Sequence, residues 1–164
     1  MYIFLASSSY LLLSNIYNMV RQLQISLWIS VGFIVMGTII RKLFPQVLVM
    51  NNLDPTAVIG GKLPLTGSNG LVGHSEHMVC EACEFVDTFL DLSPDIAVIL
   101  NVDEDHLDYF KTFDNLKKSF TKFASLATKM IIFNGDDPNT VDTVVPAIEI
   151  SGKPVISFGL NDGN

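Results

Sequence analysis

From residue 47 onward, short apolar runs alternate with amphipathic stretches. Apolar runs closed by polar or glycine residues predict strands at 57–59, 77–80, 96–100, 129–133 and 154–158. Thr112 is expected to cap a helix whose apolar positions recur at helical spacing, namely Phe113, Leu116, Phe120, Phe123 and Ala127. A shorter helix is expected at 141–148. Strands that alternate with helices in this way predict an α/β domain with a mainly parallel sheet and flanking helices.

The residues before this domain follow a different pattern. Between Arg21 and Arg41 lie nineteen uncharged residues, about the length of a membrane-spanning helix. Three interpretations stay open for the apolar segment 1–46: a membrane anchor at 22–40, a buried apolar segment, or sequence foreign to the domain. The predicted division therefore places the α/β domain at 47–164.

Charge is distributed unevenly along the chain. Residues 51–164 contain all 17 acidic residues and seven lysines, a net charge of −10. Nucleic-acid binding needs clustered lysine and arginine, so a nucleic-acid partner is not expected. A cleavable signal peptide fits the N-terminal sequence poorly. The single pair of cysteines favours a reduced, cytoplasmic protein, whose membrane contact would be limited to 22–40. Cys80 and Cys83 form one C-x-x-C pair without a second, which favours reduced thiols over a zinc site.

Polar residues follow two of the predicted strands directly. Glu81 and Glu84 come after the strand at 77–80, and Asn101, Asp105 and His106 come after the strand at 96–100. Ligands bind along the carboxyl edge of a parallel sheet, so Glu81 and His106 are expected in one crevice. One carboxylate with a nearby imidazole suits Mg²⁺ bound to phosphate oxygens. The alternative is a solvated acidic loop in which His106 caps a helix or bonds a backbone carbonyl.

The glycine-rich loop at 63–73 has neither of the common phosphate-binding fingerprints. It contains no G-x-x-x-x-G-K-[ST] and no G-x-G-x-x-G. On these residues alone, the loop is interpreted as a surface turn.

Four segments together resemble a known family. They are LDPTAVIGG at 53–61, CEACE at 80–84, LNVDEDHLD at 100–108 and NGDDP at 134–138. In this order and spacing they resemble the central domain of the Mur ligases, over about residues 47–164. The resemblance implies a Rossmann-like α/β fold and a role in peptidoglycan synthesis.

The resemblance also implies an activity and roles for particular residues. It implies ATP-dependent ligation through an acyl phosphate, with Mg²⁺ as cofactor and, from the LDPTAVIGG and E-A-x-E patterns, UDP-N-acetylmuramate and L-alanine as substrates. Glu81 and His106 match the two catalytic Mg²⁺ partners, and Asn101 matches a residue near the nucleotide. The implied substrate contacts are Gly60, Gly61, Ser68, Asn69 and Glu84.

Some positions depart from the family pattern. A G-T-x-G-K-T loop is expected upstream of LDPT, but residues 37–50 read GTIIRKLFPQVLVM. Leu71 stands where an arginine is expected, and Cys83 where aspartate is common. We therefore expect a partial central domain, produced by a frameshift or truncation, that lacks ligase activity on its own.

Two other classes of function stay open. A membrane-anchored interaction module would use 22–40 as its anchor and the acidic domain as its binding surface. A Mg²⁺-dependent phosphohydrolase would use Glu81, Asp105 and His106 without further domains.

Overall fold

A computed structural model describes residues 2–3 and 42–160. The chain divides into an N-terminal unit, residues 4–81, and a C-terminal unit, residues 1–3 with 82–164. The strands in chain order are β1 Tyr2–Ile3, β2 Thr56–Val58, β3 Gly70–Leu71, β4 Met78–Cys80, β5 Ile96–Ile99, β6 Met130–Asn134 and β7 Val155–Phe158. The helices are α1 at 42–50, a 3₁₀ helix at Phe85–Asp91, α2 Leu107–Phe110, α3 Phe113–Ser125 and α4 Pro138–Ser151.

In the N-terminal unit, β2 is the central strand of three. It pairs in parallel with β4, where Ala57 faces Val79, and antiparallel with β3, where Ala57 faces Leu71. Ala57, Val79 and Leu48 of α1 are fully buried and form part of the core. The predicted strands at 57–59 and 77–80 are confirmed within one residue. The interpretation of 63–73 as a loop is wrong at 70–71, where β3 pairs along β2.

In the C-terminal unit, β5, β6 and β7 run parallel in that order, and β1 pairs antiparallel with β5. Three of the five strand pairings described are therefore parallel, and the predicted mainly parallel sheet with flanking helices is confirmed. The predicted strands at 96–100, 129–133 and 154–158 each lie within one residue of an observed strand.

Helix α3 begins and packs as its sequence predicts. The Thr112 hydroxyl accepts a hydrogen bond from the Asn115 N–H, which satisfies a backbone donor that the first turn leaves unpaired. Leu116 and Phe123 are buried on one face, whereas Lys118 lies exposed on the other. The helical spacing of apolar residues therefore identified the core-facing side correctly.

Helix α4 is longer than the predicted 141–148. Asp137 caps its first turn through the Thr140 N–H, and Pro138 follows at a position where its missing donor is not needed. Gly152 ends the helix at a φ of 60°, a left-handed conformation that glycine adopts without a Cβ clash. These three signals extend the helix by about one turn at its start and three residues at its end.

The predicted N-terminal features fall mostly outside the described residues. Among the residues that the structure describes, no helix has both the length and the apolar character needed to cross a membrane. The anchor predicted at 22–40 lies outside them. The boundary drawn between 46 and 47 falls within α1, and the division into 1–46 and 47–164 stays a prediction.

A polar clamp joins the turn before β2 to the segment after β3. The carboxylate of Asp54 accepts a hydrogen bond from the His74 N–H at 2.9 Å and lies 3.1 Å from His74 Nδ1. The Asp54 carbonyl oxygen accepts from the Ser75 hydroxyl at 2.8 Å. The backbone hydrogen bond from His74 lowers the pKa of Asp54 below its ordinary value of 3.8.

The clamp predicts how stability changes in acid. Because the pKa of Asp54 is lowered in the folded state, its stabilisation is present above the unfolded-state pKa and is lost as pH falls through the folded value. Asp54→Asn keeps an acceptor oxygen and tolerates the positive φ of 43°. We expect the difference in melting temperature between wild type and variant to shrink as the pH falls from about 5 through the lowered folded-state pKa of Asp54. A difference that stays constant over this range would rule out a role for the charge.

Candidate functional site

Glu81 follows β4 and is held by the turn after β2. Its Oε2 accepts a hydrogen bond from the Gly60 N–H at 2.6 Å. A Cβ at Gly60 would lie 3.1 Å from the same oxygen, so glycine allows the carboxylate to approach the backbone closely. At Gly61, a Cβ would meet the Lys42 side chain at 3.3 Å, which places a lysine stem beside this turn.

The 66–70 loop is ordered by its own polar groups. The Ser68 hydroxyl accepts a hydrogen bond from the Gly70 N–H at 3.2 Å, and the Asn69 carbonyl accepts from the Ile59 N–H at 3.0 Å. These bonds connect the loop to the residue that follows β2 and fix the shape of the loop. The substrate contacts predicted for Ser68 and Asn69 stay predictions.

In the C-terminal unit, His106 lies between two carboxylates. Its Nε2 is 3.7 Å from Glu84 Oε1, and its Nδ1 is 3.7 Å from Asp105 Oδ1. One potential metal-ligand atom from each of the three residues, Glu84, Asp105 and His106, lies within 4.8 Å of those of the other two. The His106 ring also contacts the Phe85 ring at a centroid distance of 4.8 Å. An imidazole and two carboxylates are thus gathered at one point.

The loop between β5 and α2 presents His106. Asn101 Nδ2 donates to Asp103 Oδ2 at 3.0 Å, and the Val102 N–H donates to the Asp137 carboxylate at 3.2 Å. His106 itself has a φ of 51° and occupies the position before α2 without a side-chain cap. The interpretation of His106 as a helix cap is therefore only positionally correct, because its side chain turns to Glu84 instead.

The structure brings some predicted site residues together. Glu84, Asp105 and His106 are grouped in the C-terminal unit, and Gly60 and Glu81 are bonded in the N-terminal unit. Glu81 and His106 belong to different units, and their meeting in one crevice stays a prediction. Asp137 was not singled out from the sequence. Its helix-capping role is visible in the Asp-Pro pair, but its bond to Val102 depends on the folded chain.

The two cysteines are free thiols. Burial raises the pKa of the Cys80 thiol, which disfavours the reactive thiolate. The free thiols agree with the expectation of reduced cysteines.

The chemistry of these side chains fits Mg²⁺. The ion prefers one or two carboxylates and keeps room for water and phosphate oxygens. Glu84 and His106 keep about a quarter and a third of their side-chain surface exposed, with values of 26% and 33%. Donors on this partly open surface can reach an ion that also contacts a phosphate.

Comparison with protein families gives the class of this chain. The family model of the Mur ligase middle domain matches residues 17–164 of this chain. The chain therefore belongs to the Mur ligase family and corresponds to its middle domain. The match begins at residue 17, upstream of residue 47, where the resemblance was expected to begin.

Two named relatives make the comparison more specific. The chain is 44% identical over 127 residues to the UDP-N-acetylmuramate–L-alanine ligase of Caldanaerobacter subterraneus subsp. tengcongensis, covering 76% of this chain and 27% of that one. It is 38% identical over 129 residues to the ligase of the same name from Clostridium tetani, covering 77% and 27%. The chain thus spans about a quarter of the length of these relatives.

A solved structure supports the fold. The crystal structure of the UDP-N-acetylmuramate-alanine ligase MurC from Thermotoga maritima matches with a TM-score of 0.59 and 21% identity. The match covers 74% of this chain and 26% of that one. The predicted Rossmann-like α/β architecture is confirmed.

Proposed function

We propose that this chain forms the middle part of an ATP-dependent ligase that joins L-alanine to UDP-N-acetylmuramate. The relatives named UDP-N-acetylmuramate–L-alanine ligase support the choice of substrates. The observation that carries the proposal is the cluster of Glu84, Asp105 and His106, which joins the segment after β4 to the loop between β5 and α2. These are metal-binding groups at the strand edge where α/β proteins bind ligands.

The reaction explains why such groups are needed. The γ-phosphoryl group of ATP passes to a carboxylate oxygen of the sugar nucleotide, giving an acyl phosphate and ADP. The amine of L-alanine then attacks the acyl carbon, the amide bond forms, and inorganic phosphate leaves. Bound Mg²⁺ supplies positive charge that offsets the charge on the transferring phosphoryl group.

Each side chain has a distinct proposed role. Glu81 would hold one Mg²⁺, and the Gly60 N–H keeps its carboxylate oriented. His106 would hold a second Mg²⁺, with Glu84 beside it to fix the imidazole. Asn101, whose amide is already bonded to Asp103, lies towards the nucleotide.

The turns after β2 provide the proposed contact with the sugar nucleotide. Gly60 and Gly61 expose backbone without side chains, and the 66–70 loop adds the Ser68 hydroxyl and the Asn69 amide. Lys42 lies beside Gly61 and would place a positive charge near an anionic substrate. Glu84, which already lies beside His106, is also proposed to contact the substrate.

Metal binding tests this proposal directly. We expect the chain to bind Mn²⁺, used as a paramagnetic substitute for Mg²⁺, and Glu81→Gln and His106→Gln each to weaken binding about 10-fold or more. Free Mn²⁺ measured by electron paramagnetic resonance gives the dissociation constants. Glu76→Gln, which removes an exposed acid in the same unit as Glu81, is the matched control and should bind as wild type does. Equal affinity in all four proteins would refute the assignment.

A further inference from the structure

Asp87 accepts hydrogen bonds from two helices at once. The Tyr109 hydroxyl, from α2, donates to Asp87 Oδ2 at 2.9 Å. The Ser119 hydroxyl, from α3, donates to Asp87 Oδ1. Ser119 is buried with 6% of its surface exposed, so this arm of the carboxylate is anchored in the core. Both oxygens of Asp87 are thus used to join the 3₁₀ helix to two neighbouring elements.

Tyr109 connects this carboxylate to His106. Helix α2 is a single turn that begins directly after His106. The N–H groups of Tyr109 and Phe110 both donate to the His106 carbonyl oxygen, at 2.9 and 3.0 Å. When Asp87 restrains the Tyr109 side chain, it therefore also restrains the helical turn to which the His106 carbonyl oxygen is hydrogen-bonded.

The segment that contains Asp87 also supports the other side of His106. Phe85 lies two residues before Asp87 and contacts the His106 ring, and Glu84 faces His106 Nε2. The imidazole is supported by Phe85 and Glu84 at its ring and by Tyr109 at its backbone. Asp87 links these supports, because it belongs to the first segment and binds the second.

Backbone conformation shows that these segments need such a link. Val86, Asp87 and His106 all have positive φ, at 55°, 59° and 51°. A residue other than glycine is strained in this conformation, and it persists only where surrounding contacts hold it. Hydrogen bonds from two helices to Asp87 provide that restraint for the 3₁₀ segment, and the contacts with Phe85 and Glu84 provide it for His106.

We infer that Asp87 is a positioning residue that holds the His106 imidazole beside Glu84. The consequence for metal binding rests on the proposed function, whereas the restraint on His106 does not. Asp87 itself contacts neither substrate nor metal in this proposal. It acts through Tyr109 and through the 3₁₀ segment that contains Phe85.

Tyr109→Phe removes one hydroxyl and retains the ring. We expect the Phe110 amide, which donates to the His106 carbonyl oxygen, to exchange with solvent about 5-fold faster, as the loss of one hydrogen bond implies. The His106 ring resonance in NMR spectra should move towards the position of an unrestrained histidine. His106→Gln assigns this resonance among the three histidines of the chain.

Two further variants separate positioning from stability. Thr121→Val removes a hydroxyl that joins α3 to α4 through the Thr143 carbonyl, and should lower stability without moving the His106 resonance. Asp87→Asn keeps an acceptor for Tyr109 and tolerates positive φ, so it should retain the wild-type resonance. Asp87→Ala should shift the His106 resonance away from its wild-type position. If Asp87→Ala does not fold, the comparison of Tyr109→Phe with Thr121→Val still decides.

The same spectra distinguish the two proposals. If Mg²⁺ leaves the wild-type His106 resonance unchanged while Tyr109→Phe still shifts it, the metal assignment fails and the positioning role stands. If Tyr109→Phe leaves the His106 resonance and Phe110 exchange as in wild type, the positioning role is overturned whatever Mg²⁺ does. A shift of equal size in Thr121→Val would also overturn it, because it would reflect general destabilisation.

Discussion

Replacing Phe123 with alanine is expected to lower the free energy of unfolding by about 3–5 kcal/mol. Only 2% of Phe123 is exposed, and its ring stacks on that of Phe89 at 4.8 Å with an interplanar angle of 13°. Phe89 in turn contacts Phe120 edge-on at 5.2 Å. The substitution removes one of the three rings of this cluster, the one that stacks on Phe89, and leaves a cavity in the core.

Urea denaturation provides the measurement. Lys118→Ala changes an exposed position on the same helix and should shift stability by no more than about 0.5 kcal/mol. Because Phe89 lies in the 3₁₀ helix with Asp87, Phe123→Ala should also increase amide exchange across 85–91. A loss below about 1 kcal/mol would mean that the aromatic cluster does not form the core of the C-terminal unit.

Replacing Gly73 with alanine is expected to destabilise the N-terminal unit by about 3 kcal/mol, the upper end of the cost of overpacking. A Cβ at this position would lie 2.1 Å from the Asp54 carbonyl oxygen and 2.5 Å from Pro55 backbone atoms. Backbone cannot move aside as a flexible side chain can. The Thr56 hydroxyl, which bonds both the N–H and the carbonyl oxygen of Gly73 at 3.2 Å, would also lose its geometry.

Gly70→Ala is the matched control in the same unit. There a Cβ would meet the Ala57 carbonyl oxygen at 3.7 Å, an ordinary contact distance. Thermal unfolding of the two variants should therefore differ clearly, with Gly73→Ala the less stable. Equal melting temperatures would show that the approach of Gly73 to Asp54 and Pro55 is not tight in solution.

The regular elements were predictable because their signals are local. Thr112 marks the start of α3, and the spacing of Leu116, Phe120 and Phe123 identifies its buried face. The parallel strands are apolar runs that end in polar residues, so their existence follows from hydropathy alone. Asp137-Pro138 and Gly152 mark the ends of α4 in the sequence, and these capping signals account for its observed length.

The short elements were missed because nonlocal contacts define them. The strand β3 has two residues, and it exists only because Gly70 and Leu71 align with β2. The four residues of α2 carry no helical period, and its start depends on the positive φ of His106. No pattern of side chains predicts a β-branched residue such as Val86 in this conformation.

The candidate site was predicted in part. Strand-end reasoning selected Glu81, Glu84, Asp105 and His106, and the last three form a cluster. Asp87 and Tyr109 were not identified, because nothing in their spacing indicates a hydrogen bond between the 3₁₀ helix and α2. The candidate ligands could be inferred from their chemistry, whereas the hydrogen bonds of Asp87 and Tyr109 are visible only in the folded chain.

The location of the first bound Mn²⁺ tests the assignment of Glu81 and His106 as metal ligands most directly. In NMR spectra at low Mn²⁺, the Gly60 amide, which bonds Glu81, and the His106 ring should broaden before signals from other parts of the chain. Glu81→Gln should abolish the broadening at Gly60, and His106→Gln should weaken Mn²⁺ binding in the C-terminal unit. Sharp signals at Gly60 and His106, with broadening first at an unrelated exposed acid such as Asp142, would contradict it.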